Sequence, residues 1–373
     1  MFNLYVSPGA AKMVLQRKAA ASLKRGKPHC RISRPELPKL ALAAWAEALA
    51  GSWLILLAVF FLRLSAAASD CSGTSTGFVP LNDLGSGAYK GHAGGLYPSG
   101  SNSRPAAHES AGLEAARSIS TLNGNGSPDA KGQIVLLSIG MSNTTREFRK
   151  FISLANADPE KNPHLVFVDG AVGGMTAQRI SDLSTPDAQR YWDFVGVRLS
   201  DAGVTPAQVE VAWIKQAAPQ RKGDFIDHAG RLKKHLALIV QILRVRFPNI
   251  RLVYLSSRIY GGYASVPLNP EPFAYESGFG VKWLIEDQIG GTPSLNFDPS
   301  KGEVMAPWLA WGPYLWADGL TPRSDGLTYD CSDFVKDGTH PSPGAQMKVA
   351  KMLLEFFKSD TTTRSWFLRK RGE

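Results

Sequence analysis

Four short apolar runs restrict what this chain can fold into more than any other feature. Gln133 to Ile139 (QIVLLSI), Leu165 to Val168 (LVFV), Val209 to Ile214 (VEVAWI) and Ile250 to Leu255 (IRLVYL) have strand length and lack a clean polar alternation. A strand with one wet face alternates, whereas a strand covered on both faces does not, and that pattern belongs to parallel sheets. Helical stretches lie between the runs. Residues 227–246 place Leu232, Leu236, Ile239, Ile242 and Leu243 at helical spacing before the stop Phe247-Pro248-Asn249. A closing helix begins near Ser342-Pro343, with Met347, Ala350, Leu353, Leu354 and Phe357 on one face. Strand–helix alternation of this kind predicts an α/β fold, a three-layer doubly wound sandwich around a mainly parallel sheet. Chemistry in such folds sits on loops that leave the carboxyl ends of the strands.

Charge looks at first like a nucleic-acid signal, because the 373 residues carry a formal +10. Its location argues otherwise. Residues 1–68 hold ten Lys or Arg against Glu36 and Glu47, a net +8, and the remaining 305 residues carry only +2. A nucleic-acid-binding domain would keep its positive charge in the folded part, so no nucleic-acid partner is expected. The excess instead precedes an apolar core, Leu49 to Leu62 (LAGSWLILLAVFFL), which Ser65-Ala66-Ala67-Ala68 follows. Basic region, apolar core and small-residue exit are the parts of a secretory signal. A membrane anchor is the alternative, since the segment from Leu40 to Leu64 is just long enough to span, though Glu47 interrupts it. Either way, residues after about Ala68 are expected outside the cytoplasm, secreted or periplasmic, with membrane contact only through the N-terminal segment.

The expected organisation is a basic N-terminal region (1–39), a signal peptide or anchor (40–68), a Gly/Ser/Pro-rich linker and extension (69–130), the α/β domain (131–360) and a C-terminal tail (361–373). Within the extension, Tyr89, Leu96, Tyr97 and the run from Ala111 to Ile119 suggest that its later part packs on the domain. Cys71 and Cys331 would both sit in an oxidising compartment and can pair; two separate thiols are the alternative. Asn143-Thr144-Thr145 fits a glycosylation acceptor pattern, but a glycan there would crowd Ser142.

The candidate chemistry is split between two distant segments. Ser142 follows the first apolar run in Ser138-Ile139-Gly140-Met141-Ser142, where a glycine allows a sharp turn and the next helix offers unpaired N–H groups to developing negative charge. A serine in that position is also an ordinary helix cap. Near the other end stands Asp337-Gly338-Thr339-His340-Pro341. A serine nucleophile needs a base, and the base needs a carboxylate to fix its tautomer; a three-residue offset can bring Asp337 and His340 together. An Asp-Gly turn beside an exposed histidine is the bland reading.

These segments together resemble the SGNH/GDSL hydrolase family over roughly residues 131–358. The resemblance implies Ser142 as nucleophile and Asp337 and His340 as its acid–base partners. The family's Gly-Asp-Ser block reads Gly140-Met141-Ser142 here, without the acid. Asp169-Gly170-Ala171-Val172-Gly173-Gly174 matches the second block and points to Gly174 as an oxyanion donor beside the Ser142 N–H. The third block's asparagine is replaced: Gln216 stands at its place, with Lys215 as the other candidate. Loss of one oxyanion donor costs about 3–4 kcal/mol of transition-state stabilisation.

Four residues stand out as candidate substrate contacts. Arg258 and Tyr260 lie in a long loop after the fourth run, with Glu271 further along it. Arg258 can pair with a substrate carboxylate or phosphate, or brace the loop through Glu271 or Glu276. Trp311, within Met305 to Asp318 (MAPWLAWGPYLWAD), can offer a platform to a sugar ring, although a buried aromatic cluster is the commoner use of such a run. His228 and His235 lack a third ligand at recognisable spacing, so a packed or solvated face is expected rather than a metal site. No dinucleotide or phosphate-loop motif appears, and no cofactor is expected. The sequence thus points to a serine ester hydrolase removing a short acyl group from a small-molecule or glycan ester. Acyl transfer to a sugar, or a non-catalytic binding domain on the same scaffold, are the alternatives.

Overall fold

A computed structural model of the chain describes residues 68–218 and 223–370. The expectations for the basic region and, apart from Ala68, for the apolar segment concern residues outside these. Among the described residues no helix is long and apolar enough to cross a membrane.

Five strands form one parallel sheet: β1 (Ile134–Gly140), β2 (Leu165–Asp169), β3 (Val209–Lys215), β4 (Leu252–Ser256) and β5 (Trp308–Trp311), in the spatial order β2-β1-β3-β4-β5. The four apolar runs supply β1 to β4. Every residue of β1 and β3 is buried, as expected of central strands covered on both faces. The fifth strand, WLAW, lies inside the aromatic stretch from Met305 to Asp318. Four residues flanked by proline and glycine are too few to declare a strand by pattern, and only pairing with β4 (Leu252 opposite Trp308, Leu255 opposite Trp311) makes them one.

The longer helices are α1 (Ala106–Arg117), α2 (Ser142–Ala157), α3 (Pro186–Asp201), α4 (Phe225–Arg246), α5 (Phe273–Ile289) and α6 (Pro343–Ser359). The predicted apolar stripe of α4 is buried throughout, and Asp224 caps its N-terminus by accepting from Asp227 N. Helix α2 packs against α6, and α4 against α5. Right-handed crossovers from a sheet of this order put those two pairs on opposite faces, which makes the three layers.

The N-terminal extension and the C-terminal tail both pack on the domain. The extension packs from Leu81 onward: Leu81 and Tyr97 are buried, the Lys282 ammonium donates to Tyr97 O, and Trp308 Nε1 donates to His108 O. The tail contributes Trp366 and Phe367 to the same core, with Phe367 stacked on Phe357 of α6. Composition rich in Gly, Ser and Pro conceals a segment that buries Leu81 and Tyr97 against the domain.

Candidate active site

Order reverses between β1 and β3, and at that switch point the two distant segments meet. β1 ends at Gly140, and Ser142 is the first residue of α2. A Cβ at Gly140 would lie 2.1 Å from Thr144 Oγ1 and 2.5 Å from Lys215 O, so only glycine allows this tight exit. Thr144 Oγ1 donates to Lys215 O at 2.7 Å, tying the turn to β3. The buried Asn143 donates through Nδ2 to Thr339 O at 3.0 Å, which binds the serine turn to the histidine loop. Asn143 is 2% exposed, which leaves no room for a glycan on its amide.

The histidine loop turns on Gly338, whose φ of 64° lies in the left-handed region and whose Cβ would collide with Tyr263 O. The result is a linear chain of contacts. Ser142 Oγ lies 2.8 Å from His340 Nε2, and His340 Nδ1 lies 2.6 Å from Asp337 Oδ2. The other Asp337 oxygen accepts from the backbone N–H groups of Thr339 and His340, each at 2.9 Å. Burial pushes the Asp337 carboxyl up, but those N–H bonds and the imidazole outweigh it and hold the carboxyl below its usual value. An ionised carboxylate is what the imidazole needs as it takes a proton. The loop itself is pinned by Val335 N to His340 O and by Ser69 Oγ to Val335 O, and a disulfide joins Cys71 to Cys331 a few residues upstream.

Oxyanion donors are less complete. Among the described residues the N–H groups of Ser142 and Gly174 have no internal acceptor, as an oxyanion site requires. Gly173 is the glycine that approaches the nucleophile, since a Cβ there would lie 3.7 Å from Ser142 Cβ; Gly174, at φ 76°, makes the turn beside it. Gln216 is buried, and its amide donates to Met175 O at 3.0 Å. Lys215 is also occupied: its ammonium sits 2.5 Å from both Glu147 oxygens inside the protein. Burial lowers Lys215 to about 8 and raises Glu147, each opposed by the other's charge.

Of the candidate substrate contacts, three are internal. Tyr260 donates to Gly73 O at 2.7 Å. Glu271 accepts from Gly261 N, Tyr275 N and Trp316 Nε1, bracing the loop after β4. Trp311 lies on the edge strand β5, and its indole N–H donates to Leu96 O. Trp311 is separated from β1 by two strands, so it offers the triad no sugar platform; the aromatic stretch is a buried cluster. Arg258 differs, since it pairs with neither Glu271 nor Glu276: the latter accepts from Tyr89 and Lys90. His228 packs edge-on against Phe273 and His235 contacts Ser181 Oγ, and burial lowers His228 to about 4. Among the described residues no group of three or more His, Cys, Asp or Glu is placed to hold a metal ion.

Sheet order, a serine at the exit of β1 and an Asp-x-x-His turn leading into the last long helix coincide in one arrangement. The fold is a three-layer α/β sandwich around a five-stranded parallel sheet. No protein-family model matches the sequence, and no curated protein matches it. Solved structures similar to this chain include a Bacteroides fragilis protein assigned as an acylhydrolase, at 12% identity over 68% of this chain and 96% of that one, with a TM-score of 0.32. Another is a Slackia heliotrinireducens protein assigned as an SGNH hydrolase, at 13% identity over 60% of this chain and 99% of that one (TM-score 0.30). An extracellular lipase of Streptomyces rimosus matches at 10% identity over 60% of this chain and 100% of that one (TM-score 0.29).

Proposed function

We propose that the protein is a serine ester hydrolase that removes a short acyl group through Ser142, His340 and Asp337. The observation that carries this reading is the unbroken contact chain from Ser142 Oγ through both imidazole nitrogens to Asp337. Ser142 Oγ attacks the acyl carbon while His340 Nε2 takes its proton. That proton passes to the departing alcohol, leaving an acyl-serine. Water then attacks the acyl-serine, again giving its proton to His340, and the free acid leaves as Ser142 regains its hydrogen. Asp337 keeps the Nδ1 proton in place and stabilises the imidazolium. The N–H groups of Ser142 and of the Gly173–Gly174 turn face the developing oxyanion. The disulfide supports a location outside the reducing cytoplasm, in line with the apolar segment that precedes Ala68.

A second reading is favoured by one specific observation. One N–H of the Gln216 amide is given to Met175 O, which holds the third oxyanion donor to a single remaining N–H; loss of one such donor is worth roughly a hundred- to a thousandfold in rate. A domain that binds esters or glycans without turnover would show this arrangement. Incubation with p-nitrophenyl acetate and a serine-directed phosphonate separates the two. The hydrolase releases nitrophenol and is labelled at Ser142, and H340A and S142A each lower turnover by at least about 10³-fold. Ligand binding without labelling establishes the non-catalytic reading.

A further inference from the structure

Arg258 is the cation at this sheet edge that no internal carboxylate claims. Only 5% of its surface is exposed, and its Nε has no hydrogen-bond partner among the described residues. No ion pair joins it to any described carboxylate, and its backbone N–H contacts Ser277 Oγ. An uncompensated buried guanidinium is costly, and proteins keep such groups where a ligand completes them. The neighbouring Ser257 hydroxyl is also buried and also without a partner among the described residues.

The register places this pair beside the triad. Gly140 is opposite Lys215, and Lys215 is opposite Ser256, so Ser142 and Arg258 each lie two residues past one continuous row. They are two strands apart, roughly 10 Å between backbones at the usual strand spacing. An arginine side chain spans much of that gap. The carboxylates around it are held by other groups. Lys215 takes both oxygens of Glu147, Glu271 is pushed up to about 7 by burial, and Asp337 is committed to His340 and two N–H groups. Glu147, Glu271 and Asp337 all act on Arg258 from a distance, but none touches it.

We propose that Arg258 binds a carboxylate carried by the ester substrate close to the scissile bond, and so makes acidic esters the preferred substrates. This rests on the hydrolase reading and specifies its substrate class. A planar guanidinium matches a carboxylate with two parallel N–H bonds, which fixes the ester relative to Ser142 as well as attracting it.

The test compares 4-acetoxybenzoate with its neutral methyl ester, and adds 4-acetoxybenzenesulfonate and 4-acetoxyphenyl phosphate to distinguish the anion. The full chain is expected to favour 4-acetoxybenzoate over the methyl ester in kcat/KM by at least ~10-fold, the scale of a charge-assisted hydrogen bond. The ratio falls to near one in R258Q and is partly retained in R258K. Because a ratio is read, a general loss of activity in a variant cancels. Equal rates on acidic and neutral esters in the wild type overturn the proposal, as does a preference that survives R258Q. A preference for the sulfonate or phosphate over the carboxylate overturns the carboxylate assignment. A binding arm separates this from failure of the hydrolase reading. S142A is titrated with 4-acetamidobenzoate and its methyl ester, and selective binding of the acid that R258Q removes supports the site even if no ester is turned over. Equal binding of the two overturns it.

Discussion

Individual side chains in this protein divide into those whose polar groups are satisfied internally and those that are not, and the division sorts structure from chemistry. Tyr260, Glu271 and Gln216 read as site residues because of where they fall in the sequence, yet each one's polar group is bonded within the fold. Ser142, His340 and Asp337 are bonded to one another. Away from the site, Glu210 on β3 is buried with one oxygen unpaired, the other accepting from Ser120 N, and burial raises it to about 8. A carboxyl raised in the folded state stays protonated there while the unfolded chain has already released its proton. Stability from this group is therefore complete below about 4.5 and is lost as pH climbs to about 8. The loss amounts to roughly 3–5 kcal/mol. E210Q keeps the acceptor for Ser120 N and removes the charge. Urea unfolding at pH 5, 7 and 8.5 is expected to show the wild type weakening across that range while E210Q stays flatter and is the more stable of the two at pH 8.5.

Among the elements, α2 carries the nucleophile and is held by more than hydrophobic packing. Glu147, one turn and a half past Ser142, meets Lys215 of β3 in a fully internal ion pair. Breaking one side of such a pair leaves a lone buried charge, at about 3–5 kcal/mol, whereas an apolar replacement of both is often neutral. K215M is expected to lower the unfolding midpoint strongly, and E147L/K215M to recover most of the loss in chemical denaturation. Recovery of stability without recovery of ester turnover would mark the pair as a positioning device for Ser142. A loss in E147L/K215M equal to the sum of the losses in E147L and K215M would show that the pair is not coupled.

At the scale of the whole molecule, the N-terminal extension and the C-terminal segment are joined to one core by packing and by a disulfide across 260 residues. The bridge lies at the base of the histidine loop, where Ser69 also bonds to Val335 O. C71S/C331S is expected to lower stability by about 2–5 kcal/mol, read as a shift in thermal midpoint against the wild type under oxidising conditions. No shift would mean that the packing of Leu81, Tyr97 and Trp366 alone anchors both ends.

By itself the sequence determined the layers. Apolar runs without alternation specify strands covered on both faces, and helical spacing with capping residues specifies what covers them, because both signals are local. Gly140-x-Ser142 and Asp337-x-x-His340 were legible for the same reason, since each motif lies within one turn. Only the tertiary structure decided the rest. It brought Ser142 within hydrogen-bond distance of His340 across 198 positions, made a strand of Trp308–Trp311 by giving it a neighbour, buried Trp366 and Phe367 of the tail, and bonded the Gln216 amide to Met175. Each of these depends on which partner a group finds, and a partner distant in the chain leaves no mark in the local pattern. Arg258 shows the other side of that rule: its place after β4 is local, but its lack of a carboxylate is a property of the assembled fold.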